Sequence, residues 1–173
     1  MKKIFQALAQ YNSSVNRSLL ELLEPLKKEQ IMMETKAYYP SIFETIFHIL
    51  IADLLWLKRY KGSFGSNKAL NSSKLLILEE KDLREEFRSD YAKLFQYRKQ
   101  VDELITQFVD EMEEYQMNSV IRYKNYKGEE MEKEVWKTVL HWFNHQTHHR
   151  GQTSALLDMV GADHDFSSMV TRI

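Results

Sequence analysis

The stretch HWFNHQTHHRGQ, residues 141–152, decides the fold of this chain because it combines apolar residues with four histidines. Three of the histidines, His141, His145 and His149, recur at intervals of four residues. Side chains at that interval lie on one face of a helix, about 6 Å apart along its axis. Neighbouring imidazoles so placed can reach one small ion. The stretch therefore predicts a helix with a metal-binding face.

This helix begins near residues 132–135 and is expected to stop at Gly161. Before it, the segment Val120–Met131 turns about residues 125–128, Asn-Tyr-Lys-Gly. Alternating residues on either side of such a turn are typical of a β-hairpin. The sequence therefore predicts a short hairpin directly before the last helix.

Three more helices are predicted upstream. The first runs from Lys3 to Glu24, because apolar residues recur there at steps of three and four, and it ends before Pro25. The third is expected as one long helix over Glu80–Glu113. Looser segments are expected from Pro25 to Tyr39 and over the Gly-, Ser- and Asn-rich residues 61–73.

The second helix has the clearest start signal. Ser41 precedes Glu44 by three residues, the spacing at which each side chain can bond the other's backbone amide. From Ile42 to Trp56 the helix is apolar on nearly all sides, so it should be the most buried, and Gly62 is placed to end it. The pattern predicts an all-α, up-down four-helix bundle with a short β-hairpin before the last helix, in a single domain over residues 1–173.

Composition narrows the function. The 173 residues carry a net charge of −1 and no excess of basic residues, which argues against nucleic acid as a partner. The longest apolar segment, residues 46–57, contains His48 and Asp53 and is shorter than the ~20 residues that cross a bilayer. With no cysteine the chain has no disulfide and no thiolate ligand. We expect a soluble, cytoplasmic protein without a membrane partner.

A metal site would need a third ligand beyond His145 and His149. His48 is the candidate, because it lies in the other buried helix, where an imidazole is costly unless both ring nitrogens are satisfied. Three imidazoles leave a position open for water or a thiol, as in catalytic sites, and no side chain is assigned as a catalytic group. Zinc or nickel is the expected ion, although imidazole also suits copper and iron.

Two plainer interpretations remain open. His48 could be a hydrogen-bonded core histidine, and the histidine run could be the polar face of a helix. Two known metal motifs do not match: residue 146 is Gln rather than the Glu of H-E-x-x-H metalloproteases, and no Glu-x-x-His pair of the di-iron bundles is present.

The residues around the site also allow alternatives. Asp53 could bond an imidazole or pair with Lys58 or Arg59. Arg150 and Gln152 could hold the last helix against the second or face the pocket mouth.

We expect His141 near the site and His148 outside it, since His148 points about 100° away from His149. The aromatic side chains expected in the core or in a pocket wall are Tyr38, Trp56, Trp136 and Trp142.

The chain resembles the DinB-like family of metal-binding four-helix bundles, named for a DNA-damage-inducible protein. The resemblance covers most of the chain. Its strongest part is NHQTHHRGQ at 144–152 on the last helix, followed by Leu156, Leu157 and Gly161, and the Tyr11–Asn12 pair matches on the first helix. The matching residues of the second helix and its end are Ser41, Ile42, Thr45, His48, Ala52, Asp53, Trp56, Leu57, Arg59 and Gly62. It implies that His48, His145 and His149 are the metal ligands, the same three that the helix pattern selects.

The resemblance implies less about the reaction. Some relatives resemble thiol-dependent S-transferases or isomerases that use bacillithiol, mycothiol or glutathione, and dimers are common among them. It therefore implies a small-molecule substrate, with a low-molecular-weight thiol as a candidate, and a homodimer. A metal-dependent transferase or hydrolase is the leading hypothesis. A non-catalytic metal-binding stress-response protein and a helical interaction module are the alternatives.

Overall fold

The computed structural model describes residues 1–173 and contains eight α-helices, one two-stranded antiparallel sheet and a 3-10 turn at Leu75–Ile77. The helices are α1 Lys2–Leu23, α2 Lys28–Ile31, α3 Ile42–Ser63, α4 Lys68–Ser72, α5 Glu80–Ser89, α6 Tyr91–Glu111, α7 Glu114–Met117 and α8 Val135–Met159. The strands are β1 Val120–Lys124 and β2 Glu130–Glu134. The predicted all-α bundle with a hairpin before the last helix is confirmed.

The long helices α1, α3, α6 and α8 form the bundle, in which α1 and α3 each pack against both α6 and α8. Their directions follow from the pairs that join them: Gln6–Asp110 and Asn16–Asp102 for α1 and α6, Asp53–Arg98 and Tyr60–Phe108 for α3 and α6, His48–His145 and Tyr60–Thr138 for α3 and α8. The helices thus run up, down, down and up. The long connection after α3 returns the chain to the end where α3 began, so α6 runs parallel to α3.

One apolar core fills the space between these helices. Its largest fully buried side chains are Trp142, Tyr60, Phe43, Phe47, Phe87 and Phe108. None of the helices combines the length and the apolar composition that a bilayer crossing requires.

The prediction of one continuous helix over Glu80–Glu113 is wrong. The helix breaks at Asp90, whose backbone is non-helical at φ −141° and ψ 89°. The Asp90 carboxylate accepts a hydrogen bond from the backbone amide of Ala92 at 3.2 Å, so it caps the start of α6. The helix breaks there because a short polar side chain bonds a nearby backbone amide in competition with the helical hydrogen bonds. The apolar stripe nevertheless continues on both sides of the break.

The boundaries of the second predicted helix differ in detail. Ser41 caps α3 by accepting from the Glu44 amide at 3.1 Å, as predicted. The reciprocal bond is replaced, because the Glu44 carboxylate pairs with Arg84 and Arg88, each at 2.6 Å. Gly62 lies inside α3, which ends one residue later at Ser63. The two looser segments each contain one short helix, α2 and α4.

The hairpin and the end of α8 agree with the sequence. Val120 pairs with Glu134 and Lys124 with Glu130, so the two strands lie on either side of the predicted turn at residues 125–128. Gly128 has φ +80°, a left-handed conformation that favours glycine in such a turn. Gly161 likewise has φ +71° just after α8.

A buried ion network joins the helices at mid-height. The guanidinium of Arg98, only 2% exposed, bonds both carboxylate oxygens of Asp102 at 3.2 and 2.8 Å and contacts Asp53 of α3. Trp142 of α8 donates to the other oxygen of Asp53 at 2.6 Å. The expectation that Asp53 bonds an imidazole or pairs with Lys58 or Arg59 is therefore wrong, because Asp53 faces the bundle interior.

The network extends to the first helix through amides. Asn16 donates to Asp102 at 2.9 Å, and Asn12 does so at 3.3 Å. Arg150 of α8 contacts the side-chain oxygen Oδ1 of Asn12 and donates to Oδ1 of Asn16 at 3.4 Å. Arg150 therefore holds α8 against α1, not against the second predicted helix, α3. The reason is that its side chain lies on the flank of α8 that faces α1.

We predict that Arg98→Met lowers the free energy of unfolding by about 3–5 kcal/mol, because it leaves two buried carboxylates without their cation. Urea denaturation at pH 7 measures the change. The control is Lys99→Met, which removes a cation from an exposed pair with Glu24 and should cost less than about 1 kcal/mol. Equal losses in the two variants would contradict the role assigned to Arg98.

Candidate metal centre

Three histidines converge between α3 and α8. The Nε2 atom of His145 lies 3.1 Å from Nε2 of His48 and 3.0 Å from Nε2 of His149. Candidate ligand atoms of all three lie within 4.8 Å of one another. His149 is buried and the other two are half-buried, so the cluster lies between α3 and α8 near the protein surface.

Local sequence explains the positions. His145 and His149 are one turn apart on α8 and their rings are 4.3 Å apart between centroids. His48 is presented by α3 on the side that faces α8, and its ring lies 4.6 Å from that of His149. Five residues further along α3, Asp53 bonds Trp142, which is three residues before His145. That bond fixes the alignment of the two helices next to the histidines.

The environment keeps these imidazoles neutral. Burial lowers the pKa of His48 to about 4, assisted by the neighbouring His149. Burial also lowers the pKa of His145 to about 3, with smaller contributions from the surrounding histidines. The pKa of His149 is lowered by burial as well, although the hydrogen bond that its ring donates to Gln152 acts in the opposite direction. Neutral imidazoles have the free lone pairs that metal binding needs.

Gln152 orients one of the three rings. Nδ1 of His149 lies 2.7 Å from Oε1 of Gln152, a contact in which the imidazole donates. Its Nε2 is then the unprotonated nitrogen, and it points at His145. The Gln152 amide nitrogen lies 3.3 Å from Nε2 of His148. Gln152 therefore acts on His149 within α8, and neither role expected for it from the sequence is found.

Tyr39 covers one side of the cluster. Its ring stacks on His48 with centroids 4.2 Å apart and meets His149 edge-on at 5.3 Å. Residue spacing did not point to Tyr39, and Tyr38, the tyrosine expected in the core or a pocket wall, is 87% exposed. No periodicity distinguishes two adjacent tyrosines in an irregular segment, so only their position before Ser41 could have pointed to either.

Two further histidines of α8 lie beside the triad. The His141 ring is 6.2 Å from that of His145, one turn away along α8, and is exposed, so His141 lies near the site as expected. His148 is also exposed and is not one of the three converging histidines, but its ring is 4.9 Å from that of His149, closer to the triad than His141. Among the tryptophans, Trp142 and Trp56 are buried, and the Trp56 ring lies 5.9 Å from that of His141.

The triad fits a divalent ion. Three nitrogens that each lie about 2.0–2.1 Å from zinc, at angles of about 90–110°, are about 2.9–3.4 Å apart. The two Nε2 separations, 3.1 and 3.0 Å, lie in that range. His48, His145 and His149 could therefore hold a metal ion. Nδ1 of His145 is buried without a hydrogen-bond partner.

Fold and site together define a helical bundle with a trihistidine group that could bind a metal. The sequence model of the DinB family matches residues 1–166, so the chain belongs to the DinB family. Protein DinB of Bacillus subtilis (strain 168) is 27% identical over 154 residues, which cover 89% of this chain and 84% of that protein. No solved structure matches the chain.

We predict that His145→Ala abolishes stoichiometric metal binding, because Nε2 of His145 lies next to Nε2 of both other histidines. The measurement is the zinc and nickel content of protein purified without a polyhistidine tag, by elemental analysis. His148→Ala is the matched control, since it removes an adjacent exposed imidazole and should leave metal content unchanged. Full metal content in the His145 variant would contradict the proposed ligand set.

We also predict that the metal-free protein loses stability as the pH falls from about 7 toward 4. In the unfolded chain the histidines titrate near about 6.5, whereas His48 and His145 fold with pKa values of about 4 and about 3. The unfolded state therefore binds protons first, so acid favours unfolding.

Urea denaturation in the presence of a chelator, at several pH values, tests this dependence. Replacing His145 with Asn removes one of the titrating groups, so its free energy of unfolding should fall less steeply with decreasing pH than that of the parent. Parallel profiles for the two proteins would refute the assignment.

Proposed function

We propose that this protein is a metal-dependent enzyme that holds one divalent ion, zinc or nickel, on His48, His145 and His149 and acts on a small molecule. The observation that carries the proposal is the convergence of three Nε2 atoms at separations of 3.0 and 3.1 Å. Structural zinc sites are closed by four protein ligands, whereas the group here has three. A three-ligand site leaves room for a reacting molecule.

The reaction class that suits this site is thiol S-transfer or hydrolysis. A divalent ion bound there would lower the pKa of a water or a thiol that it binds. The chain's own contribution is to keep three imidazoles neutral and oriented, through burial and the Gln152 contact. Because the chain has no cysteine, a thiol would have to come from the substrate.

The proposal includes a cytoplasmic homodimer that has neither nucleic acid nor a membrane as a partner. A net charge of −1 supports the absence of a nucleic-acid partner. The dimer is carried over from the family resemblance.

A second candidate is a non-catalytic metal-binding protein in which the ion ties α3 to α8. It is favoured by the surroundings of the triad, where the aromatic and polar contacts come from Tyr39, Gln152 and other histidines. No carboxylate contacts the three rings to serve as a general base.

A turnover assay separates the two. We expect zinc-loaded protein to accelerate either conjugation of glutathione to monochlorobimane or hydrolysis of p-nitrophenyl acetate, and His145→Ala to lower that rate by about 100-fold or more. Equal rates in the metal-free protein would reject the enzyme. Under the second candidate, a chelator lowers the melting temperature by several degrees and no metal-dependent turnover is found.

A further inference from the structure

A continuous row of rings leads from the metal centre to the hairpin. The His145 ring is 6.2 Å from His141, which is 5.9 Å from Trp56 on α3. Trp56 in turn lies 5.3 Å from Tyr123 of β1. These contacts form one row that joins α8, α3 and β1 and starts at a candidate metal ligand.

Arg59 lies at the far end of this row. Its guanidinium carbon is 4.6 Å from the centroid of Trp56 and 4.4 Å from that of Tyr123, so the cation packs against both rings, whose planes are inclined to each other by 64°. Its hydrogen bond goes to the backbone carbonyl of Lys124 at 2.9 Å. A guanidinium has five N–H donors, so Arg59 can bond an anion in addition to this carbonyl.

The charge of Arg59 has no acidic partner. Burial lowers the pKa of Arg59, and the only groups that oppose this effect are the tyrosines Tyr123 and Tyr60. By contrast, Arg122, the neighbour of Tyr123 on the other face of β1, pairs with Glu132 at 2.7 Å. A half-buried cation without a counter-charge is costly, and an anionic ligand would offset that cost.

We propose that Arg59 binds the carboxylate of an elongated organic acid whose other end reaches the histidine triad. Arg59 follows His48 by eleven residues on the same face of α3, and the guanidinium leans back over Trp56, roughly 12 Å along the axis from His48. One guanidinium matches a monoanionic carboxylate better than a dianionic phosphate, because the nearby Lys124 ammonium is paired with Glu130 at 3.5 Å. The inference rests on the metal-dependent function proposed above and assigns its substrate class.

The test compares two thiols that differ in charge. Protein loaded with cobalt(II) is titrated with glutathione and with glutathione diethyl ester, and binding is followed by the thiolate-to-cobalt absorption band. We expect the parent protein to bind glutathione about tenfold more tightly than the ester. Arg59→Gln should remove that preference by weakening glutathione and leaving the ester unchanged.

Controls separate recognition from folding. Arg122→Gln removes a cation from strand β1, next to Tyr123, and should keep the tenfold preference. Arg59→Lys retains charge without the planar fork and should give an intermediate preference, which also serves if Arg59→Gln fails to fold. An unchanged preference in the Arg59 variants, or none in the parent protein, would overturn the inference.

The cobalt signal distinguishes the two proposals. If neither thiol produces the band although cobalt is bound, thiol binding at the metal fails and the Arg59 inference falls with it. If the ester and glutathione both produce the band with equal affinity in the parent protein, the metal proposal stands and only the role of Arg59 is lost.

Discussion

The ion network around Arg98 is the interaction on which the rest of the structure depends. It brings a guanidinium of α6 against carboxylates of α3 and α6 in the centre of the bundle, where charged groups are stable only when paired and hydrogen-bonded. Amides of α1 and the Trp142 indole of α8 complete the coordination of those carboxylates. Every long helix therefore contributes a group whose position the others define.

This network also determines where the histidines meet. Apolar side chains alone allow two helices to slide by a turn with little change in buried area, whereas the bond from Trp142 to Asp53 allows one alignment. In that alignment His48 lies opposite His145. The candidate metal centre is thus positioned by polar contacts in the interior.

Much of the fold and part of the candidate site could be predicted from residue spacing, because helix period and capping act over a few residues. The bundle class, the hairpin turn and the pair His145 and His149 are of this kind. The break at Asp90 was missed since an apolar stripe persists across a capped helix start. Tyr39 was missed because it lies in an irregular segment, where no period relates a side chain to the site.

The sequence by itself determined that two imidazoles share one face of the last helix and that a third belongs to an apolar helix. Only the tertiary structure decided the partners of the charged residues. Asp53 had cations five and six residues away in the sequence, yet it pairs with Arg98, and Arg59 packs against two aromatic rings. The physical reason is that ion pairing depends on which helix faces point inward, and that is set by the packing of all four helices together.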